Sequence, residues 1–485
     1  MRKNVKLLIA MTMISAVLAG CGADPAPSDN VQNKGAYVHD IPSTETLNED
    51  EKALDEALSK MKEEAASLYD SKEPYGMVRF DDEACLESDL HRFCRALPKG
   101  AELHSHESTI IDFDRYLDMI RTEAMICLTP GDDYGQLYTT DNDDIPDGCV
   151  LLDEALTNGD ITAEEFRQLL VVDETDSEYG YWNALSRSFV ITRGLSSNLD
   201  LTGRIYAEAF RCACNKGILL LELRISCKPD EELNKKNLEM IREAYYNVRS
   251  DNPDFRVRII GCAGKSMKYT LENSCDTLRS VIRLSKTLRD EFDPDHPEDF
   301  IIGIDLVNEE DTGNPLEMYV DFLKSDEVTS GGLKTFLHCG ESLKLDNTSV
   351  IDAYMVGTTR AGHGFNLYRY PELMAGYKEK NIALEVCPIS NLRLGYVHDL
   401  RLHPALTYLK EGLPVVICSD DGLFMTPEPL TDDFYSAIMC WDLNLNDIKT
   451  LCRRSIEAGA LSKSETDTLL AAWERDWDEF VKSYK

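Results

Sequence analysis

Positive charge is scarce in this chain of 485 residues: 51 Lys and Arg stand against 87 Asp and Glu, a net charge of −36 at pH 7. A surface of that sign repels phosphate backbones, which argues against a nucleic-acid polymer as partner but not against a small neutral ligand. Long hydrophobic runs are scarcer still. Apart from Leu7 to Ala19, every apolar run is of strand length, and no internal repeat is visible. Histidine is sparse, with nine in the chain, so their positions carry information. What remains is ordinary for a globular protein: 43% hydrophobic and 28% charged residues, at a length that accommodates one large barrel domain plus additions.

The N-terminus stands apart. Arg2, Lys3 and Lys6 precede the apolar run, which is too short for a permanent span and reads as an export signal over residues 1–20. It ends in Leu18-Ala19-Gly20-Cys21, which resembles the lipobox of bacterial lipoproteins. That resemblance implies cleavage before Cys21, its acylation, and attachment of an exported protein to the cell membrane or outer membrane. Residues 21–46, rich in Pro, Ser, Asp and Asn, then read as a flexible tether.

Of the 15 cysteines, Cys262, Cys387 and Cys418 lie in apolar runs and read as small buried hydrophobes. Cys127 and Cys149 bracket an acidic, glycine-containing stretch that a disulfide could close in an oxidising compartment; spacing alone leaves the pairing open.

From about residue 47 to 97 the pattern is helical and heavily charged, with apolar residues three and four apart in EDEKALDEALSKMKEEAASLYD. Residues 98–485 then alternate strand-like runs with helical stretches. The runs are Ala101–His106, Ile218–Ile225, Val257–Cys262, Ile301–Leu306, Thr335–His338, Thr359–Gly362, Ala383–Cys387 and Val415–Ser419. Helices are expected over LNKKNLEMIREAYYNVR, DTLRSVIRLSKTLRDEF and PLEMYVDFLKS. Such β-then-α units predict an α/β fold, a (β/α)8 TIM-type barrel with an N-terminal helical extension and a short insertion around 127–149.

The chemistry-bearing residues fall at the C-terminal ends of these strands, the rim where barrels build active sites. In Leu103-His104-Ser105-His106 two imidazoles at i and i+2 share one side of a strand and can reach one ion. Phe336-Leu337-His338-Cys339-Gly340-Glu341 sets a nitrogen ligand beside a carboxyl group. Arg360-Ala361-Gly362-His363-Gly364 holds a histidine between glycines, and Val415 to Asp421 ends in paired carboxylates. Each has a bland explanation by itself: a solvated strand, a solvated Glu, a glycine turn, a helix N-cap. Together they gather four of the nine histidines.

HSH, FLHCGE, RAGHG and SDD occur in the order found in adenosine deaminases. LPKGAELHSH, IIGIDLVNEEDTG, TTRAGHGFNL, LEVCPISN, DLRLHP and VVICSDD resemble more closely the extracellular adenosine deaminase–related growth factors, from about Leu97 onward. The resemblance implies one divalent ion, zinc by default, on His104, His106, His338 and Asp420. The fourth strand offers no lysine to bridge a second ion. It implies hydrolysis of adenosine or 2'-deoxyadenosine to the inosine product and ammonia by water activated on that ion. His363 would orient the water and handle its proton, Glu341 would protonate purine N1, and Asp421 would hydrogen-bond N7.

Three positions depart from the pattern. Asn308 stands where the family usually has a Gly whose N–H faces purine N3. Glu107 replaces a shorter acidic residue thought to hold the ribose, moving the carboxylate by about 1.5 Å. Gly422 replaces a common proline. Trp182 resembles a substrate-lining Trp of the subfamily and reads equally well as a core aromatic. The short 127–149 stretch corresponds to a disulfide-closed surface domain in relatives, and the N-terminal helices to their homodimer contact. Deamination of another or modified aminopurine nucleoside, or nucleoside binding without turnover, stay open as alternatives. A cytidine-deaminase type of site is not encoded, because H-x-E with P-C-x-x-C is missing.

Overall fold

The computed structural model describes residues 41–42, 45–68, 83–129, 131, 133–142, 144–177, 180–290 and 298–484. The leader, Cys21 and nearly all of the tether lie outside the described residues. Eight parallel strands follow one another in sheet order: β1 (Gly100–His106), β2 (Ile218–Ser226), β3 (Arg256–Gly264), β4 (Ile301–Val307), β5 (Lys334–Cys339), β6 (Arg360–His363), β7 (Ala383–Val386) and β8 (Val415–Ile417). Each matches one expected run to within three residues. The strands are buried almost end to end, as expected when helices cover the outside of a parallel sheet. A single bridge between Ser105 and Asp420 closes the circle, with Asp420 N–H donating to His104 O at 2.8 Å and His106 N–H to Asp420 O at 3.2 Å. The architecture is a (β/α)8 barrel.

The helices follow their signals with local corrections. Glu231–Arg249 forms as expected. The helix expected over DTLRSVIRLSKTLRDEF runs from Leu271 to Leu284, where the Ser285 hydroxyl donates to Ile282 O; the chain then enters a two-residue strand, Arg289–Asp290, paired with Glu298–Asp299. PLEMYVDFLKS divides into a 3-10 turn at Leu316–Tyr319 and a short helix at Val320–Leu323.

The N-terminal helix Glu49–Ala66 starts at a capping box between Asn48 and Glu51. Glu51 is buried, and its Oε1 accepts from Lys449 Nζ at 2.6 Å and Trp477 Nε1 at 2.7 Å, tying this helix to Leu445–Glu457 and Lys463–Ser483. After β1, Ala124–Cys127, Leu137–Thr139 and Cys149–Leu151 form a small antiparallel sheet, with Cys127 and Cys149 joined by a disulfide. Among the described residues no helix is long and apolar enough to cross a membrane.

Candidate metal centre and active site

The barrel interior beneath the rim is charged. Arg224, on β2, is fully buried; its Nε donates to Asp305 Oδ2 at 2.8 Å and its Nη2 to Glu385 Oε2 at 2.6 Å. Each carboxylate in turn engages an imidazole: Asp305 Oδ2 lies 2.6 Å from His338 Nδ1, and Glu385 Oε2 lies 2.8 Å from His104 Nδ1. Arg360 braces the other Glu385 oxygen at 2.7 Å and also pairs with Glu222. Burial works to raise the carboxyl pKa values, but Arg224 and Arg360 hold Glu385, and His338 and Arg224 hold Asp305, well below the usual range. One guanidinium thus fixes two carboxylates, and each fixes one ring. Such partners orient ligating histidines and set their tautomers.

With their Nδ1 atoms so engaged, His104 and His338 bring their Nε2 atoms to 3.1 Å of each other. That approach calls for one positive charge at the gap, a shared proton or a metal ion. The surroundings demand the same: burial opposes a charge on His104, as does Arg224, yet Asp420 and Glu385 outweigh them and hold its pKa above the usual value. Ligand atoms of His104, His338, His363 and Asp420 all lie within 4.8 Å of one another, and all four residues are buried. His106 stands at the margin of this group, with Nε2 3.3 Å from Asp420 Oδ1, which also lies 3.5 Å from His104 Nε2. Ser390 Oγ donates to the other Asp420 oxygen at 2.7 Å. Borderline nitrogen donors with a carboxylate oxygen suit zinc and similar divalent ions, so the donor set fits one such ion.

The backbone is bent hard to achieve this. His363 (φ 61°), Asp420 (φ 60°), Glu107 (φ 49°) and Asn308 (φ 110°) all take positive φ at strand ends. Strain of this kind persists where surrounding structure enforces it, and it gathers at functional sites. Gly362 serves close approach instead, since a Cβ there would stand 3.1 Å from His104 Cε1 and His338 Cα.

Around the centre lie groups without protein partners. Glu341 Oε1, His363 Nε2 and Asp421 Oδ1 are buried and make no hydrogen bond. Glu341 Oε1 is 3.6 Å from His363 Nε2. Burial first, then the charges of Asp420, Glu310 and Asp421, push the Glu341 carboxyl well above its usual pKa, which favours its protonated form. Burial and the neighbouring Asp420 do the same to Asp421.

The remaining expected contacts are more committed. Glu107 accepts from Tyr206 OH at 2.6 Å and from Ser226 N–H at 2.8 Å. Trp182, at the start of helix Tyr181–Thr192, donates from Nε1 to Tyr396 OH at 2.9 Å. Asn308 is exposed at the rim, its Oδ1 2.9 Å from where a Cβ on Gly264 would lie. Arg224, Asp305, Glu385, Ser390 and Asn391 went unrecognised in the sequence as supports of the site. Their signal was a charged residue inside an otherwise apolar strand, or the polar SN of CPISN just past one.

The adenosine deaminase family model matches residues 166–474, which leaves His104 and His106 ahead of the matched stretch. Adenosine deaminase 2 from Sus scrofa is 30% identical over 477 residues, 90% of this chain and 89% of its own. Adenosine deaminase 2-A from Danio rerio is 28% identical, covering 90% of each. Among solved structures, the N6-methyl-AMP deaminase of Arabidopsis thaliana superposes with a TM-score of 0.55 at 17% identity, over 79% of this chain and 98% of that one. An amidohydrolase from Burkholderia ambifaria, crystallised with bound zinc, gives 0.55 at 16% over 84% and 98%. These two likenesses show the fold. The length of the family match and the 30% identity over nine-tenths of the chain establish more: this chain belongs to the adenosine deaminase family.

Proposed function

We propose that the protein hydrolyses the 6-amino group of adenosine or 2'-deoxyadenosine, giving the inosine product and ammonia. The observation that carries this reading is the buried Glu341 carboxyl, whose Oε1 faces the His/Asp cluster without a partner, 3.6 Å from His363 Nε2, and which burial and the Asp420 charge push towards its protonated form. A binding protein needs no such proton donor. We assign His104, His106, His338 and Asp420 to one divalent ion, most simply zinc, which when bound supplies a Lewis acid that brings the pKa of water towards about 7. Glu341 donates its proton to purine N1 as the water oxygen bonds C6. Asp421 hydrogen-bonds N7, and His363 orients the attacking water. The water's other proton passes to the amino nitrogen, the C6–N bond breaks and ammonia leaves, and the C6 hydroxyl proton returns to Glu341.

A second reading, another or modified aminopurine nucleoside, draws support from Glu107, whose two oxygens are already engaged by Tyr206 and Ser226. A panel of adenine nucleosides and N6-substituted analogues separates the two by kcat/KM, read as loss of the adenosine absorbance band and release of ammonia. No turnover anywhere in the panel by metal-loaded protein would sink both.

We further assign the site of action to the outside of the cytoplasm, with the chain held by acyl groups on Cys21 and paired as a homodimer through its N-terminal helices. Cys21→Ala is expected to move the activity from the membrane fraction to the soluble fraction. A single particle mass of one chain by light scattering would remove the dimer.

A further inference from the structure

A chain of hydrogen bonds runs from the main chain to His363 and starts at a donor that cannot be turned around. The Ala405 backbone N–H donates to His403 Nδ1 at 3.1 Å. His403 is buried, ringed by Phe365 and Trp441 at centroid distances of 5.3 and 5.6 Å, and burial pushes its pKa down to about 3. A neutral imidazole whose Nδ1 accepts carries its proton on Nε2. That Nε2 lies 3.1 Å from Asn391 Oδ1, which must therefore accept. The orientation of the Asn391 amide follows: its oxygen faces His403 and its Nδ2 faces His363 Nδ1 at 3.4 Å. An amide nitrogen only donates, so His363 Nδ1 accepts and the His363 proton belongs on Nε2. This Nε2 is the buried atom without a partner, 3.6 Å from Glu341 Oε1 and 3.9 Å from Asp420 Oδ2.

We propose that His403, acting through Asn391, is a positioning residue that fixes His363 as the Nε2–H tautomer, so that His363 offers an N–H donor rather than a ligand lone pair to the centre. The inference rests on the deaminase reading of the site and sharpens it. Four residues crowd within reach of one ion, and distance alone does not say which imidazole stays out of the coordination set. A nitrogen that bears a proton cannot coordinate, so His363 is left to hold the attacking water.

The tautomer can be read without turnover. In full-length protein labelled with 15N-histidine, long-range 1H–15N correlation distinguishes a protonated Nε2 from a protonated Nδ1, and His363→Gln assigns the signal. The wild type should show His363 protonated on Nε2. Asn391→Asp, whose carboxylate accepts but cannot donate, should move that proton to Nδ1. His403→Phe should abolish the single tautomer and lower kcat by about tenfold or more at unchanged KM and metal content. His403→Gln, which keeps an N–H donor, should recover most of both. A wild-type His363 protonated on Nδ1, or an unchanged tautomer in both His403→Phe and Asn391→Asp, would overturn the proposal. The expected tautomers in a protein that deaminates nothing would uphold the relay and instead overturn the functional reading.

Discussion

Asp420, His363, Glu107 and Asn308 share an unusual backbone state, and two of them, Asp420 and His363, hold side chains in the cluster. Each is an L-residue with positive φ at the end of a barrel strand, a position costing about 1–3 kcal/mol. The sequence places the histidines and paired aspartates at strand ends, because HSH, HCGE, GHG and SDD each close an apolar run. It does not say which imidazoles would surround an ion, since i and i+2 spacing fixes only a shared side of a strand. Nor does it show that the Glu341 carboxyl is pushed towards its protonated form, which comes from burial beside Asp420 and Glu310 rather than from any neighbour in sequence. Glu341→Gln keeps the shape and loses the proton. It should cut kcat by about 100- to 10,000-fold while metal content and nucleoside affinity stay near wild type. Equal loss of affinity would mean that Glu341 supports the pocket rather than the reaction.

Strands, rather than single residues, carry the support for those rings. All eight were legible as short apolar runs, yet LELRI, GIDL and ALEV also hold Glu222, Arg224, Asp305 and Glu385, whose roles were not. A charged residue within an apolar strand has no visible partner until the barrel closes and β2, β4, β6 and β7 face one axis. There Arg224 pairs with two buried carboxylates, Asp305 and Glu385, the second shared with Arg360. Arg224→Met fills similar volume but leaves Asp305 with His338 alone and Glu385 with only Arg360 and His104. Breaking such a network by removing one partner costs about 3–5 kcal/mol, so the urea midpoint should fall accordingly. Because His104 and His338 are aimed by those carboxylates, metal affinity should also drop by about 10- to 100-fold. A variant with reduced stability and unaltered metal affinity would show that the rings are held by packing instead.

At the level of the whole barrel the weak point is its closure. The β2–β3 and β3–β4 ladders each pair six or more residues, whereas β1 meets the end of β8 through one bridge at Ser105 and Asp420. Two of the proposed ligands, His104 and His106, lie on β1, and Asp420 lies just past β8, so an ion there would cross-link the seam that the backbone barely joins. Binding only the folded state stabilises it by about 2.7 kcal/mol at a hundredfold excess over Kd. Chelation should therefore lower Tm and raise hydrogen exchange selectively in residues 100–106 and 415–421, with zinc restoring both. The effect should depend on pH. The carboxylates of Asp420 and Glu385 hold the His104 pKa above its usual value, so a proton competes with the ion for the same nitrogen. As pH falls through that raised pKa, His104 takes the proton, metal affinity weakens and the metal-dependent part of the stability is lost; as pH rises it returns. Tm measured with and without chelator from pH 5 to 8 should converge at the acid end and separate at the alkaline end. A gap in Tm that is constant across this range would mean that His104 does not bind the ion.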